Sequence, residues 1–217
     1  MLNVLYALST AVGLAFLPMY IEKKVNEGER GNAIFSSKIL TATSFLIIVI
    51  SVLVFVNSSL VAKVIAPGYT GVKLKQVAFY LKILSTGMVF SLLTSLLKSI
   101  LDAEKVYGYG AFSGIIFSII TILFVILFHN LWGGMSLVIS IPIAYFFQFI
   151  LLGERTRKIV KIRFLFDFQD NEVKNLLKAA LPVLLSNTTV EINQLVDRML
   201  ASGTKEGAVS ALSYSAN

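Results

Sequence analysis

The sequence predicts an all-α fold, a polytopic membrane helical bundle of about six transmembrane helices followed by the start of another. Of its 217 residues, 56% are hydrophobic and only 14% are charged, whereas soluble domains carry about 25% charged residues. The mean hydropathy is +0.81. The apolar residues also fall into separate runs of about 20 residues, the length that an α-helix needs to cross the hydrocarbon core of a bilayer.

Five apolar runs fill the first 152 residues. The first is uncharged throughout, and the second lies between Lys38 and Lys63. The third carries Lys82 and Lys98 near its ends, where long lysine side chains reach the headgroups. The fourth and fifth form a helical hairpin that turns at residues 129–134. The predicted spans are approximately residues 1–21, 39–62, 77–101, 111–128 and 135–152.

Residues 153–179 form a predicted basic amphipathic connector on the cytoplasmic side. They carry seven lysines and arginines, and Asp170 is placed to cap an amphipathic helix that enters the membrane at Pro182. We interpret the basic cluster first as a cytoplasmic stop signal, with binding of anionic lipid headgroups as the alternative. Residues 180–203 then form a charged transmembrane helix, and residues 204–217 begin a further helix.

The distribution of basic residues predicts the orientation. Lysine and arginine number thirteen in residues 21–38, 98–105 and 153–178, and four in the intervening segments. Because cytoplasmic loops are enriched in these residues, we expect the first group on the cytoplasmic side and the N-terminus outside. The first span then has no partner ahead of it, and residues 207–217 look like the opening of another helix. We therefore expect this chain to be part of a longer protein.

The candidate functional residues lie in the last apolar helix, Leu181 to Ser202, which carries charge deep inside it. A charged side chain at mid-bilayer costs roughly 2.5–3.5 kcal/mol on insertion scales, so such groups normally face a bundle interior or a wet cavity. Polar residues spaced i, i+4, i+7 and i+11 share one helix face. The predicted cavity-lining residues are Asn187, Glu191, Gln194 and Arg198 in this stripe, with Asn193 and Asp197 on its flank. The alternatives are structural contacts with other helices and, for Arg198, snorkelling to the interface.

Composition argues against several other functions. The chain has no cysteine, which excludes disulfides and thiolate metal sites, and its single histidine, His129, cannot build a histidine-rich metal site. No span carries an acidic pair at i, i+3 or i+4, or a nucleophile with a base, so we do not expect an enzyme. The net charge of +7 is accounted for by the cytoplasmic loops, and we expect no nucleic-acid binding.

Four short stretches carry a resemblance to one known family. They are AFLPMY at 15–20, APGY at 66–69, ILDA at 100–103, and VDRMLASG at 196–203 together with VSALSY at 209–214. In order and spacing they resemble motifs of the MurJ/MviN family, the lipid II flippases of the multidrug/oligosaccharidyl-lipid/polysaccharide exporter superfamily. The resemblance implies a multi-pass protein of the bacterial cytoplasmic (inner) membrane with a fourteen-helix exporter-type fold, of which this chain corresponds to helices two to seven.

The same resemblance implies a function. The family moves a polyprenyl-diphosphate-linked peptidoglycan precursor, lipid II, across the cytoplasmic membrane by alternating access. The implied partners are this lipid-linked precursor, the membrane lipids and the remaining helices of the parent protein. In some members an aspartate on helix seven binds sodium, and Asp197 falls in the matching motif, so a sodium ion is the one cofactor implied. Residues 1–12 lack the basic residue with which helix two usually begins in this family.

Two alternatives stay open from the sequence. Another polysaccharide-lipid flippase, or a drug/cation exporter of the same superfamily, would share the fold and the charged helix. A noncatalytic membrane scaffold fragment would share the apolar spans without a transport cavity. Substitution of Glu191 and Asp197 separates a transporter from a scaffold, because only a transport cavity depends on both side chains.

Overall fold

The computed structural model describes the backbone of residues 2–163, 165 and 171–202, and the side chains of residues 6–163, 165 and 171–186. Within these residues the regular structure is α-helical, which confirms the predicted fold class. Four of the described helical segments are long and apolar enough to cross a membrane, namely Tyr6–Val56, Gly71–Ala103, Tyr107–Trp132 and Met135–Ile159. The described helices are α1 (Leu2–Val56), α2 (Ser58–Ile65), α3 (Gly71–Ala103), α4 (Tyr107–Trp132), α5 (Met135–Ile159) and α6 (Asn171–Ser202).

Helix α1 contains two arms, residues 2–27 and 29–56, which fold against each other at Gly28. Gly28 has φ 69° and ψ −170°, a conformation essentially restricted to glycine. The rings of Phe16 and Phe35 consequently stack with their centroids 5.7 Å apart, although a straight helix would separate them by about 28 Å. We expected the polar residues 22–33 to form a connector between two spans. Instead they are helical on both sides of Gly28, and this one residue makes the turn.

The segment expected as the second span, residues 39–62, is interrupted at Asn57. Helix α1 ends at Val56 and the short helix α2 begins at Ser58. The backbone N–H and the side-chain amide of Asn57 both donate to the Leu53 carbonyl, at 2.9 and 3.0 Å. An asparagine side chain that competes for backbone groups in this way favours a helix end over a helix interior.

Helix α3 is the centre of the bundle and packs against α1, α2, α4 and α5. Small residues allow the close approach of its neighbours. The hydroxyl of Ser99 donates to the Gly13 carbonyl of α1 at 2.7 Å, and a Cβ atom added to Gly87 would lie 3.3 Å from Cα of Pro142 in α5. Contacts of this type are a common basis of helix association in membranes. They hold α1, α3 and α5 together as one block.

Helices α4 and α5 form a hairpin that turns at Gly133, which has φ 53°. Helix α4 is the most exposed of the membrane-length helices, and only Gly110 and Ser113 are buried in it. The buried side chain of Gln148 in α5 donates to the Ser113 hydroxyl at 3.0 Å. The remaining apolar face of α4 is suited to contact with lipid or with further helices.

The connector expected at residues 153–179 is more helical than the sequence suggested. Helix α5 continues to Ile159, and α6 runs without a break from Asn171 through Pro182 to Ser202. The expected division between an amphipathic helix and a membrane helix at Pro182 is therefore not seen in the backbone, since membrane helices tolerate proline when neighbouring groups satisfy the freed carbonyl. The first turns of α6 pack on α1 through buried residues that include Leu176. The predicted cap Asp170 lies outside the described residues.

Candidate functional site

The six predicted cavity-lining residues all lie in the second half of α6. Their backbone is helical, so the spacing of the four stripe residues does place them on one helix face. Their side chains lie outside the described part of the chain. The predicted cavity role and the predicted sodium ligand therefore stay predictions. These residues are Asn187, Glu191, Asn193, Gln194, Asp197 and Arg198.

A different polar cluster is described in full at one end of the bundle. Here residues 20–37 of α1, Glu104 at the end of α3, and residues 159–163 and 165 at and after the end of α5 meet around a cavity. This region is termed the basic end. The distribution of lysine and arginine predicts that it faces the cytoplasm.

Tyr20 and Lys24 of α1 hold Glu104 at the basic end. The Lys24 amine lies 2.6 Å from each carboxylate oxygen of Glu104, and the Tyr20 hydroxyl donates to Oε1 at 2.7 Å. Because Tyr20 and Lys24 are one helical turn apart, their side chains extend from the same face of α1 and reach the same acceptor. The side chains of Lys24 and Glu104 are 36% and 15% exposed, so water screens this ion pair only in part.

The way in which α3 ends places Glu104 beside α1. The N–H of Val106 donates to the Leu101 carbonyl at 2.8 Å, and the N–H of Lys105 donates to the Asp102 carbonyl at 3.1 Å. These are the two hydrogen bonds of a Schellman motif, in which the residue after the cap is left-handed. Lys105 has φ 60° and occupies that position, where glycine is more usual. The chain therefore turns sharply after Glu104, which is the last residue before the turn.

The surroundings of Glu104 also set its ionisation. Burial by itself raises the pKa of the carboxyl. The hydrogen bonds from Lys24 and Tyr20, together with the positive charge of Lys24, outweigh burial and hold the pKa of Glu104 below its ordinary value. Glu104 is therefore ionised at neutral pH, and the ion pair with Lys24 is intact there.

The adjacent Lys23 makes a second connection, from α1 to α6. Its amine lies 2.5 Å from the carboxylate of Glu172 and 2.5 Å from that of Glu27. Glu172 lies in the first turn of α6, where the helix dipole also favours a negative charge. Two consecutive lysines thus tie the first arm of α1 to the end of α3 and to the beginning of α6.

The segment after α5 is held against the second arm of α1 by backbone hydrogen bonds. The N–H of Arg163 donates to the Ser37 hydroxyl at 2.9 Å, and the N–H of Leu165 donates to the Thr41 hydroxyl at 3.2 Å. Ser37 and Thr41 are one turn apart on α1, so they present two acceptors to the backbone N–H groups of Arg163 and Leu165. These two hydrogen bonds attach the segment after α5 to the basic end.

The sequence interpretation did not single out this cluster, because it assigned the charged residues of 21–38 and 98–105 to loops. The i, i+4 spacing of Tyr20 and Lys24 at a helix exit was the signal available. The partner Glu104 is 80 residues from Lys24, and no local pattern connects the two. Within the part of the chain that the structure describes, no group of three or more His, Asp or Glu residues is arranged to hold a metal ion.

Long apolar helices whose ends are joined by ion pairs define a multi-pass helical membrane protein. The family model described as "Lipid II flippase MurJ" matches residues 2–217. The chain belongs to this family, which confirms the membership that the sequence predicted.

Individual proteins agree with this assignment. The chain is 31% identical over 208 residues to the "Probable lipid II flippase MurJ" of Rickettsia prowazekii (strain Madrid E), covering 94% of this chain and 41% of the relative. It is 23% identical over 212 residues to the protein of the same description from Buchnera aphidicola subsp. Acyrthosiphon pisum (strain APS), covering 92% and 40%. The chain thus spans about two fifths of the length of these curated relatives.

A solved structure shares the fold. It is titled "Lipid II flippase MurJ, inward closed conformation" and matches 99% of this chain and 44% of its own chain, with a TM-score of 0.77 and 22% identity. The match covers α1 to α6 in one superposition. The arrangement of these helices is therefore that of a known helical membrane fold.

Proposed function

We propose that this chain forms part of a lipid II flippase of the bacterial cytoplasmic membrane and acts there in transport, without enzymatic chemistry. The single observation that carries the proposal is the match of residues 2–217 to the lipid II flippase family. Both curated relatives are described as probable lipid II flippases. These descriptions favour lipid II over another polysaccharide lipid or a drug/cation as the substrate, and favour a transporter over a noncatalytic scaffold.

The architecture suits this task. A lipid-linked precursor has a large polar headgroup that needs a hydrated path through the bilayer, while its lipid tail stays in the hydrocarbon. Alternating access moves one packed group of helices against another around the bound substrate. The contacts of α3 with both α1 and α5, together with the Lys24–Glu104 ion pair, support the interpretation of this chain as one such rigid group.

Helix α6 supplies the proposed substrate-facing surface. In this proposal Asn187, Glu191, Gln194 and Arg198 face the transport cavity, which the remaining helices of the parent protein complete. Asp197, beside the stripe, is the proposed sodium ligand, with further oxygen ligands from those other helices. The proposed partners are the lipid-linked precursor, the membrane lipids and the rest of the parent protein.

A chimera tests the proposal. The region of the Rickettsia prowazekii relative that aligns with this chain is replaced by residues 1–217, and the chimera is expressed in bacteria depleted of their own lipid II flippase. We expect restored growth and a lower level of lipid II on the cytoplasmic face. A chimera that reaches the membrane at normal abundance but leaves lipid II on the cytoplasmic face would contradict the proposed function.

Substitutions in the chimera test the proposed cavity. Glu191→Gln and Asp197→Asn remove one charge each from α6, and we expect both to impair lipid II translocation. The matched control is Glu154→Gln, which removes a carboxylate that is 70% exposed and pairs with Lys158 one turn away. Translocation that is unchanged in both α6 variants would exclude the cavity role, and an Asp197→Asn variant with unaltered sodium dependence would exclude the sodium site.

A further inference from the structure

None of the described residues that line the cavity at the basic end lies in α6, the helix that carries the proposed substrate-facing surface. It has a volume of about 640 Å³, within the range of small-molecule sites in proteins. Its wall combines residues of both arms of α1, the end of α3 and the segment after α5. The lining residues are Tyr20, Lys24, Glu29, Arg30, Asn32, Ala33, Ile34, Ser37, Glu104, Ile159, Val160, Lys161, Arg163 and Leu165.

The charges around this cavity leave an excess of cations. Four basic side chains line it against two carboxylates, and Lys24 is already paired with Glu104. Among the described residues, Arg30, Lys161 and Arg163 form no ion pair. Three unpaired guanidinium or ammonium groups around one cavity, with Glu29 as the remaining carboxylate, favour a ligand with negative charge. Arginine in particular offers the planar fork of donors that matches a phosphate group.

A second observation concerns Asn32 in the cavity wall. Its side chain is buried, with 2% of the residue exposed, and its Oδ1 has no hydrogen-bond partner within the described structure. Buried acceptors of this kind are uncommon, because an unmade hydrogen bond costs free energy. Oδ1 has less than 1 Å² of exposed surface, so a ligand hydroxyl or amine supplies the missing donor only when the side chains that cover Oδ1 move aside.

The position of the cavity and the apolar residues at its rim favour a membrane lipid over a soluble molecule as the ligand. The cavity lies where the membrane-length helices α3 and α5 end, which is the level at which lipid headgroups are expected. Its rim includes apolar residues such as Ile34, which is 45% exposed. Clusters of lysine and arginine at this depth on the cytoplasmic side recognise anionic lipid headgroups. A membrane lipid can therefore place its phosphate in the cavity while its acyl chains remain in the bilayer.

We propose that this cavity binds the glycerophosphate headgroup of an anionic membrane phospholipid, with Arg30, Lys161 and Arg163 contacting the phosphate and Asn32 accepting a hydrogen bond from a headgroup hydroxyl. The same phosphate chemistry is present in soluble phosphates, which the test below distinguishes. This site does not depend on lipid II transport, and it remains if the proposed function is wrong.

The test measures lipid binding to the full chain purified in detergent, by native mass spectrometry. The probes are phosphatidylglycerol, phosphatidylcholine with the same acyl chains, inorganic phosphate and glycerol 1-phosphate. The cavity variant is Arg30→Gln with Arg163→Gln. The matched control is Lys174→Gln with Lys178→Gln, which removes the same charge from exposed positions of α6 outside the cavity. Circular dichroism without lipid confirms that each variant is folded.

We expect saturable binding of phosphatidylglycerol that exceeds binding of phosphatidylcholine, and about a tenfold or greater loss of affinity in the cavity variant but not in the control. We expect the Asn32→Ala variant still to bind phosphatidylglycerol, but with a smaller difference in affinity between phosphatidylglycerol and phosphatidylcholine. Equal losses in the cavity and control variants would overturn the proposal in favour of general charge attraction. Binding of inorganic phosphate or glycerol 1-phosphate as tight as that of phosphatidylglycerol would overturn the lipid assignment.

Discussion

The side-chain amine of Lys24 lies 2.6 Å from both carboxylate oxygens of Glu104, a residue 80 positions further along the chain. This contact joins the first arm of α1 to the end of α3, the two helices that share the largest interface in the bundle. The Tyr20 hydroxyl donates to the same carboxylate at 2.7 Å. The three side chains therefore fix the end of the bundle that is expected to face the cytoplasm.

Removal of the Glu104 charge is expected to weaken the fold. Glu104→Gln leaves the partly buried Lys24 amine without its counterion, and we expect the free energy of unfolding to fall by about 1–2 kcal/mol. The measurement is unfolding in mixed detergent micelles followed by circular dichroism. The matched control is Glu154→Gln, whose pair with Lys158 has side chains 70% and 65% exposed, and its cost should not exceed about 0.5 kcal/mol. Equal effects of the two substitutions would show that the Glu104 pair is no stronger than a surface pair.

The same ion pair predicts a pH dependence. The pKa of Glu104 is lowered from its ordinary value of 4.5 in the folded protein, so the folded state binds the proton less readily than the unfolded state does. The stabilisation is fully present above the ordinary pKa and is lost as the pH falls through the lower, folded pKa. The stability difference between the wild type and Glu104→Gln should therefore shrink in acid below about pH 4.5. A difference that stays constant from pH 7 to the acid limit would contradict this prediction.

Alanine at Gly28 is expected to destabilise the turn between the arms of α1. Gly28 has φ 69° and ψ −170°, and no atom lies within 4 Å of a Cβ built there, so the cost is backbone strain alone, about 1–3 kcal/mol. The control is Gly114→Ala in α4, which also has open space around the new Cβ but has an ordinary helical backbone. We expect that substitution to be neutral or stabilising by up to about 1 kcal/mol. Thermal unfolding of both variants in detergent provides the comparison, and a neutral Gly28→Ala would mean that the turn does not require glycine.

Alanine at Gly87 tests the close approach of α3 and α5. The added Cβ would lie 2.7 Å from the Tyr6 hydroxyl oxygen and 3.3 Å from Cα of Pro142. Because Pro142 contributes backbone that cannot move alone, and because the Tyr6 hydroxyl would lose its 3.1 Å hydrogen bond to the Leu84 carbonyl, we expect a loss of about 1–3 kcal/mol. Gly153→Ala is the control, since its Cβ meets only Leu97 at 3.8 Å. If both variants unfold at the same temperature, the α3–α5 contact is looser than described.

The membrane class and the approximate positions of the apolar helices were predictable from the sequence. Uncharged runs of lipid length require the backbone to satisfy its own hydrogen bonds, and helices do so locally. Helix ends were less predictable. The two arms of α1 extend through polar residues 22–33 and meet at Gly28, and the break at Asn57 falls inside a run that carries no charge. Both features depend on a single residue, which a pattern averaged over a window does not detect.

Individual contacts at the basic end were not predictable, although their residue types were visible. Lys23 and Lys24 looked alike in the sequence, as two charges at a helix exit. In the structure Lys24 pairs with Glu104 and Lys23 with Glu172, because successive side chains on a helix point in directions about 100° apart. The predicted stripe on α6 is supported only by the helical backbone, since the side chains that define it lie outside the described residues.

The sequence by itself determined that this protein is a bundle of membrane helices with a basic side, because hydropathy and charge act on each segment separately and the bilayer selects by length and polarity. It also carried the short motifs that led to its family. Only the tertiary structure decided which charges meet, since the Lys24–Glu104 pair and the cavity beside it bring together residues from α1, α3 and the segment after α5. Their proximity follows from the packing of small residues between helices, which no local pattern specifies.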